Sequence, residues 1–317
     1  MLNLLVVIIN YKTPELTKQS VLSVIPQLGE NDKICLIDNF SQDNSVDYLT
    51  QFIQSNNLQD KINLISSLVN GGFSAGNNIG IKYEEATYYL LLNSDAYLKE
   101  HAIELLIGKM QESSLIGIVA PKLIWESGKQ QTSCFNYLTP GNSFLSAANT
   151  GIISRLFNIL GINEVAIPLT KHNTINPEWL SFACILLRSR LIQDIGLMDD
   201  GYFMYYEDMD YCYRANKAGW KLAYKQDAKV VHLNQGASNQ VKIKRLPQYY
   251  FRSRNRYFLK FHGRLGVLLA NLNWSFGRLV SLIREIIQRL PPIFHKTMFW
   301  DIWTNYFVSI DENKNEK

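Results

Sequence analysis

Asn93-Ser94-Asp95 closes the apolar run Tyr88-Tyr89-Leu90-Leu91-Leu92, so an amide and a carboxylate stand at the end of what reads as a buried parallel strand. In open α/β sheets ligands collect beyond the carboxyl ends of the strands. An acid there is positioned to hold a divalent cation and, through it, phosphates. The alternative is a cap for the helix that Ala102 to Met110 suggests, and Asp95 by itself does not decide between them. A second group of acids, Glu207, Asp208 and Asp210, opens a helical stretch directly after the aromatic run Tyr202-Phe203-Met204-Tyr205-Tyr206. Acids at a helix start are commonly caps answering free N–H groups, whereas a carboxylate beside aromatic rings is also equipped to act as a base while a sugar ring is held. Ala228-Lys229-Val230-Val231-His232 ends a last strand in a histidine, again at the ligand end of a sheet.

The elements that must position these groups follow one another in a regular order. Leu4 to Ile9 is a strand, and Asn10-Tyr11-Lys12-Thr13-Pro14 turns it into a helix with Leu16, Val21, Leu22 and Ile25 at helical spacing. A strand over Lys33 to Ile37 ends at Asp38-Asn39, a polar helix covers Ser45 to Ser55, and a third strand centres on Ile62 to Ile65. Further strands are expected at Ile116 to Ala120, Gln131 to Phe135 and Trp179 to Leu187. The alternation predicts a mostly parallel sheet covered on both faces, Rossmann-like in its first half. The glycine run Gly71-Gly72-Phe73-Ser74-Ala75-Gly76 fits neither dinucleotide fingerprint nor P-loop: Phe73 stands at the required second glycine, and Asn77-Asn78 replaces Lys-Ser/Thr. Close approach to a nucleotide and tight helix–sheet packing both remain open for these glycines. Asn136 to Asn176 lacks periodicity and reads as a lid, a binding insert or a surface excursion, with a short helix near Ile153 to Leu160.

A chain of 317 residues, 47% hydrophobic, can bury a full core in one large domain with an appendage. Met1-Leu2-Asn3-Leu4 runs into the first strand without a basic segment or cleavage site, so a cytoplasmic protein is expected. Cys35, Cys134, Cys184 and Cys212 lack metal-ligand or redox spacing and are assigned no chemistry. From Gln240 to Trp300 twelve Lys and Arg face one acid, Glu285, a net +11, so the remainder carries −7 of the total +4. The two parts must meet different partners.

Taken together, the motifs resemble the inverting nucleotide-sugar glycosyltransferases of family 2, with the GT-A fold, and especially bacterial rhamnosyltransferase-like members. The resemblance rests on Val7-Ile8-Ile9-Asn10-Tyr11, Ile37-Asp38-Asn39 with Ser41 and Asp43, Gly72-Phe73-Ser74-Ala75-Gly76-Asn77-Asn78-Ile79-Gly80, Asn93-Ser94-Asp95, and Tyr202 to Asp210 with Arg214 and Gly219. It implies a GT-A catalytic domain over residues 1–235, with a donor-binding half to about 120 and an acceptor-binding half beyond, followed by a basic amphipathic helical tail over 236–317. It implies that Asp38 accepts the ring N–H of a uracil or thymine, that Asn10 and Tyr11 line the same pocket, and that Asn77, Asn78 and Asn93 lie near the donor. Asp95 would ligate magnesium or manganese with His232 closing the site; Asp208 would be the catalytic base, with Glu207 beside it. Asn93 stands where many members carry a first Asp, which implies one carboxylate on the metal. Phe182 replaces a frequent Gly, which implies a narrower acceptor pocket.

The implied reaction moves a sugar, rhamnose among the candidates, from a UDP- or dTDP-sugar to a saccharide or lipid-linked saccharide in bacterial surface polysaccharide synthesis. A non-catalytic nucleotide-sugar-binding scaffold of the same fold is the rival reading, and retention of both Asp95 and Asp208 speaks against it. In the tail, Arg252, Arg256 and Lys260 share one helical face, with Arg254 breaking the pattern, and Leu272, Phe276, Leu279, Ile283, Ile286 and Leu290 form a stripe before Pro291-Pro292. Polar Asn271, Asn273, Arg278 and Arg284 argue against a spanning helix. The expectation is a peripheral protein at the inner face of the cell membrane, on an anionic leaflet. Packing on the catalytic domain or on a second subunit of a homo-oligomer is the alternative, and no motif points to nucleic acid.

Overall fold

The computed structural model describes residues 2–159, 161–167, 176–233 and 245–315. In chain order its elements begin with β1 (Leu2–Asn10), α1 (Pro14–Val24), β2 (Asp32–Asp38), α2 (Ser45–Ser55), β3 (Ile62–Ser66), α3 (Gly72–Tyr83), β4 (Ala86–Asn93) and β5 (Ala96–Leu98). Next come α4 (Ala102–Gln111), β6 (Ile116–Ile124), β7 (Cys134–Phe135), α5 (Ser143–Ala148), α6 (Gly151–Ile159), β8 (Trp179–Leu180) and β9 (Cys184–Arg188). The chain continues with α7 (Ser189–Ile195), α8 (Glu207–Lys217), β10 (Lys221–His232), α9 (Gln248–Gln288) and α10 (Met298–Asn315). Two compact units result: Met1–Cys134, Pro168–Phe203 and Glu207–Ser238 in one; Phe135–Ile167, Met204–Tyr206 and Asn239–Lys317 in the other.

The first unit is built on an eight-stranded sheet of order β3-β2-β1-β4-β9-β6-β10-β5. β1 pairs in parallel with β2 and β4, β2 with β3, and β6 with β10, while β9 runs antiparallel to β4 and β6 and β5 antiparallel to β10. Leu4 to Ile8 and Leu90 to Leu92 are buried without interruption. That is the mark of strands covered on both faces, for which the chain supplies continuous rather than alternating apolar residues. One face is filled by Leu4, Val6, Ile8, Ile34, Leu36 and Leu90, with Leu106 and Met110 of α4 in the same cluster. The sheet is thus mostly parallel and mixed, with helices on it, as the sequence predicts.

Several expectations change in detail. The expected strand over Trp179 to Leu187 is broken into β8 and β9, because Ser181 to Ala183 bonds elsewhere: the Ser181 N–H donates to the Ser133 carbonyl (3.0 Å), and the Ala183 carbonyl accepts from the Asn93 N–H (3.0 Å). The strand expected at Gln131 to Phe135 shortens to β7, and the last one lengthens to twelve residues as β10, with an irregularity against β6 between Lys225 and Lys229. Asp95 does not cap α4, whose N-cap is His101. The helix expected near Ile153 is α6.

The second unit is helical. Phe251, Trp274, Met298 and Ile302 form its core with Ala147. α9 approaches α5 so closely that a Cβ added to Gly277 would lie 2.2 Å from the Phe144 carbonyl oxygen. Gly263, at φ +66°, interrupts α9 and separates the run that begins at Arg264. Arg254 breaks the amphipathic pattern because it is an interior residue: its Nη1 donates to Asn271 Oδ1 at 2.6 Å, and its guanidinium lies 4.9 Å from the Phe258 ring centre. The carboxylates of Glu285 and Asp301 are paired with Arg278 and Arg245.

Candidate active site

The parallel pairing of β1 and β2 sets Asn10 opposite Asp38 at the strand ends. Asp38 is buried; its Oδ1 accepts from Asn10 Nδ2 (2.7 Å) and the Ser41 hydroxyl (2.6 Å), and its Oδ2 accepts from the Ser41 N–H (3.0 Å). Asn10 is itself aimed, because its Oδ1 accepts from the Thr17 hydroxyl at 2.9 Å and the Thr13 N–H at 3.3 Å. A carboxylate offers about four acceptor positions, so this one retains capacity at Oδ2 for one more donor, the requirement of a base N–H. The ring of Tyr11 is exposed beside it, and Lys12 takes the left-handed conformation (φ +57°) that turns the chain into α1.

The glycine run resolves toward packing. Cβ atoms at Gly76 and Gly80 would lie 2.9 Å from Ile9 Cδ1 and 2.4 Å from Val7 Cγ1, so these two glycines let α3 lie against β1. Gly72 (φ +81°) is approached by backbone, a Cβ there falling 1.9 Å from the Phe203 carbonyl oxygen, which also accepts the Phe73 N–H at 2.8 Å. Asn77 is buried and donates to the Phe73 carbonyl at 3.1 Å. The Asn78 amide is engaged within the protein: its Nδ2 donates to the Met198 carbonyl (2.8 Å) and its Oδ1 accepts the Met198 N–H (3.1 Å), tying α3 to the segment before α8. Asn39, which spacing alone did not single out, joins β2 to the glycine run by donating to Asn70 Oδ1 and the Gly72 carbonyl, both at 3.0 Å.

Beyond β4, the chain turns at Ser94-Asp95 into β5, and the antiparallel β5–β10 pairing sets Ala96 opposite His232. His232 Nε2 lies 3.4 Å from Asp95 Oδ1, both side chains partly exposed. Gln131 fixes which way the imidazole works. Its Nε2 donates to the His232 carbonyl at 2.6 Å, which turns its Oε1 toward His232 Nδ1 at 3.2 Å, and Nδ1 must therefore carry the proton. Nε2, 3.4 Å from Asp95 Oδ1, is left as the ring nitrogen on the carboxylate's side. An imidazole nitrogen and a carboxylate oxygen, with the second ring nitrogen anchored from behind, fit a divalent metal. Among the described residues no group of three or more His, Cys, Asp or Glu side chains forms a metal cluster.

At the start of α8 the acids take three different parts. Asp210 is fully buried and structural: its carboxylate accepts from Arg214 Nε (2.8 Å) and the Tyr202 hydroxyl (3.2 Å), while Arg214 also binds the Ile195 and Leu197 carbonyls. Glu207 is buried, its Oε2 has no hydrogen-bond partner, and burial followed by the neighbouring Asp208 charge raises its pKa well above the usual carboxylate range. Asp208 is pushed up to about 7 by burial, against the lowering effect of the N–H groups of Met209 and Phe182 among others. The Met209 N–H donates to its Oδ1 at 2.8 Å. Phe182 reaches Asp208 through its backbone, and its ring is buried edge-on to Tyr211, 6.0 Å between centres. The connection Ser181–Ala183 links both centres, since Phe182 reaches Asp208 while Ala183 holds the Asn93 N–H. All four cysteines are buried thiols, with Cys35 and Cys134 pushed up to about 12 by burial.

Residues 5–141 match the model of the glycosyl transferase family 2 domain. That stretch, less than half of the chain, is where the likeness to family 2 lies. Among similar proteins is the low-salt glycan biosynthesis hexosyltransferase Agl10 of Haloferax volcanii, 26% identical over 259 residues that make up 80% of this chain and 74% of that one. An N-acetylglucosaminyl-diphospho-decaprenol L-rhamnosyltransferase of Mycobacterium tuberculosis is 29% identical over 111 residues, 35% of each chain. The fold is that of the GT-A glycosyltransferases: GalNAc-T7, solved with UDP, GalNAc and Mn2+, superposes with a TM-score of 0.60 at 14% identity, over 92% of this chain and 57% of that one. The family 2 match runs from β1 past β7 and so includes Asn10, Asp38, Asn93, Asp95 and Gln131, while Asp208 and His232 lie beyond it.

Proposed function

We propose that this protein is a metal-dependent, inverting glycosyltransferase that moves a hexose, rhamnose among the candidates, from a UDP- or dTDP-sugar to a saccharide or lipid-linked saccharide in surface polysaccharide synthesis. The observation that carries the reading is the junction at Ser181–Ala183, where one short connection joins the Asp95–His232 end of the sheet to a carboxylate that burial raises to about 7. Asp38 and Asn10 receive the base of the donor, and the remaining acceptor capacity of Asp38 selects a ring N–H. Asp95 and His232 hold magnesium or manganese, which when bound neutralises charge developing on the departing diphosphate, an effect of several kcal/mol. The chemistry of both ligands suits that class of ion.

Asp208 takes the proton of the acceptor hydroxyl as it attacks the anomeric carbon from the face opposite the leaving group, which inverts that centre. A base works best with a pKa near the ambient pH, and burial has raised this carboxyl to about 7. Burial and the neighbouring Asp208 charge also raise the Glu207 pKa, which disfavours a second negative charge beside the base. The naming of a similar protein for a diphospho-decaprenol acceptor, and of GalNAc-T7 with UDP and Mn2+, supports the lipid-linked and metal-dependent parts of the reading. The test is a screen of UDP- and dTDP-hexoses for release of nucleoside diphosphate with Mn2+ and with chelator. Metal-dependent release is expected; donor binding without turnover on any acceptor saccharide would favour the scaffold reading instead.

A further inference from the structure

In the second unit, the run of α9 after Gly263 turns its apolar side outward. Leu272, Phe276, Leu279, Ile283, Ile286 and Leu290 are all exposed, and Leu265 and Leu269 extend the same stripe toward the kink. The opposite side faces in, with Val267, Ala270, Asn271, Trp274, Gly277 and Ser281 buried, and the contact of Gly277 with the Phe144 carbonyl fixes that orientation. The asparagines and arginines that the sequence sets against the stripe are therefore used within the protein: Asn273 donates to the Pro140 carbonyl at 2.8 Å, and Arg278 pairs with Glu285. Gln248–Gln288 is long and apolar enough to cross a membrane, but its polar side is committed to α5, so the helix cannot be surrounded by lipid.

A groove of about 830 Å³ lies along this face, with Phe276, Leu279, Leu282, Phe294 and Phe299 inside and Lys296 on its wall. Exposed cations mark both ends of the helical run, Arg264 and Arg289, and exposed Trp300 follows the groove. We infer that this face docks on an anionic phospholipid leaflet, the stripe lying in the interface and the groove accepting an acyl chain whose phosphate meets Lys296. The 3-4 spacing of the stripe would also suit a coiled-coil seam with a second copy. Such seams are flanked by charges that set the pairing, whereas here the flanking positions include Leu268, Val280, Leu282 and Ile287. A face wider than a seam, with exposed cations at its margins, matches a lipid surface instead. This inference stands on the second unit alone and does not depend on the reaction proposed above.

The experiment is co-sedimentation of the full chain with phosphatidylglycerol-containing and with pure phosphatidylcholine vesicles, at low and high salt. Binding to the anionic vesicles is expected, about tenfold or more above the neutral ones, weakened but not abolished by salt. The triple variant Phe276→Asp, Ile283→Asp, Ile286→Asp should lose the salt-resistant part, with circular dichroism, thermal midpoint and donor turnover in solution unchanged because the replaced side chains are exposed. The variant Arg264→Gln, Arg289→Gln, Lys296→Gln should lower binding to anionic vesicles by about a hundredfold and serves if the first fails to fold. The inference is overturned if the wild-type chain stays in the supernatant with anionic vesicles, or if both variants sediment like wild type. A wild-type dimer that the first variant converts to monomer, with no vesicle binding, would assign the face to a second copy.

Discussion

At the scale of single residues, the roles proposed for Asp208 and Glu207 are separated by substitution. Asp208→Asn keeps shape and hydrogen bonding but removes the proton acceptor, so turnover should fall by about two to four orders of magnitude with donor affinity nearly unchanged. Glu207→Gln should be milder, since burial already disfavours the charged form of Glu207. The wild-type rate should rise with pH through a limb near 7, the value to which burial raises Asp208, and that limb should be missing from the residual rate of the Asn variant. A stopped assay across pH 5 to 9 checks both. Gln131 adds a further prediction: Gln131→Leu removes the acceptor that fixes the His232 ring, and manganese affinity should drop by about 10- to 100-fold, read by titrating the metal dependence of donor binding. Asp38, Asp95, Asp208 and His232 were legible in the sequence because each ends an apolar run or opens a helix. Gln131 was not, because it reaches His232 across 101 positions of chain.

At the scale of elements, α3 shows why a glycine-rich segment before a helix misleads. Its phosphate-like spacing gives way to contact with β1, and the amide of Asn78 goes to Met198. Gly80→Ala should therefore lower stability by about 1 to 3 kcal/mol through overpacking against Val7, and Asn78→Ala by about 1 to 3 kcal/mol through the backbone groups it leaves unpaired. Chemical denaturation measures both. Neither change should alter the pH limb of turnover in the folded fraction. The parallel strands were readable from their unbroken apolar runs, while β5 was not: three residues, Ala96 to Leu98, are too short for a pattern and become a strand only through pairing with β10. The division of Trp179–Leu187 into β8 and β9 was hidden for a related reason, since the residues between them are as apolar as a strand and are diverted by bonds to Ser133 and Asn93.

At the scale of the whole molecule, the active-site acids should leave a mark on stability. The folded pKa of Asp208 stands near 7, above its unfolded value near 4, so its contribution is fully present below about pH 4 and is lost as pH rises toward 7; Glu207 acts in the same direction. Asp208→Asn should flatten that slope in a series of urea melts from pH 4 to 8. The account as a whole rests on the separation of donor binding at Asp95 and His232 from proton removal at Asp208. It is tested most directly by calorimetric titration of the accepted nucleotide sugar into Asp95→Ala and Asp208→Asn, each with Mn2+ and with chelator. The predicted result is that Asp208→Asn binds donor as wild type does, with the same metal dependence, while Asp95→Ala loses that dependence and most of the affinity. Unchanged, manganese-dependent binding by Asp95→Ala would contradict it.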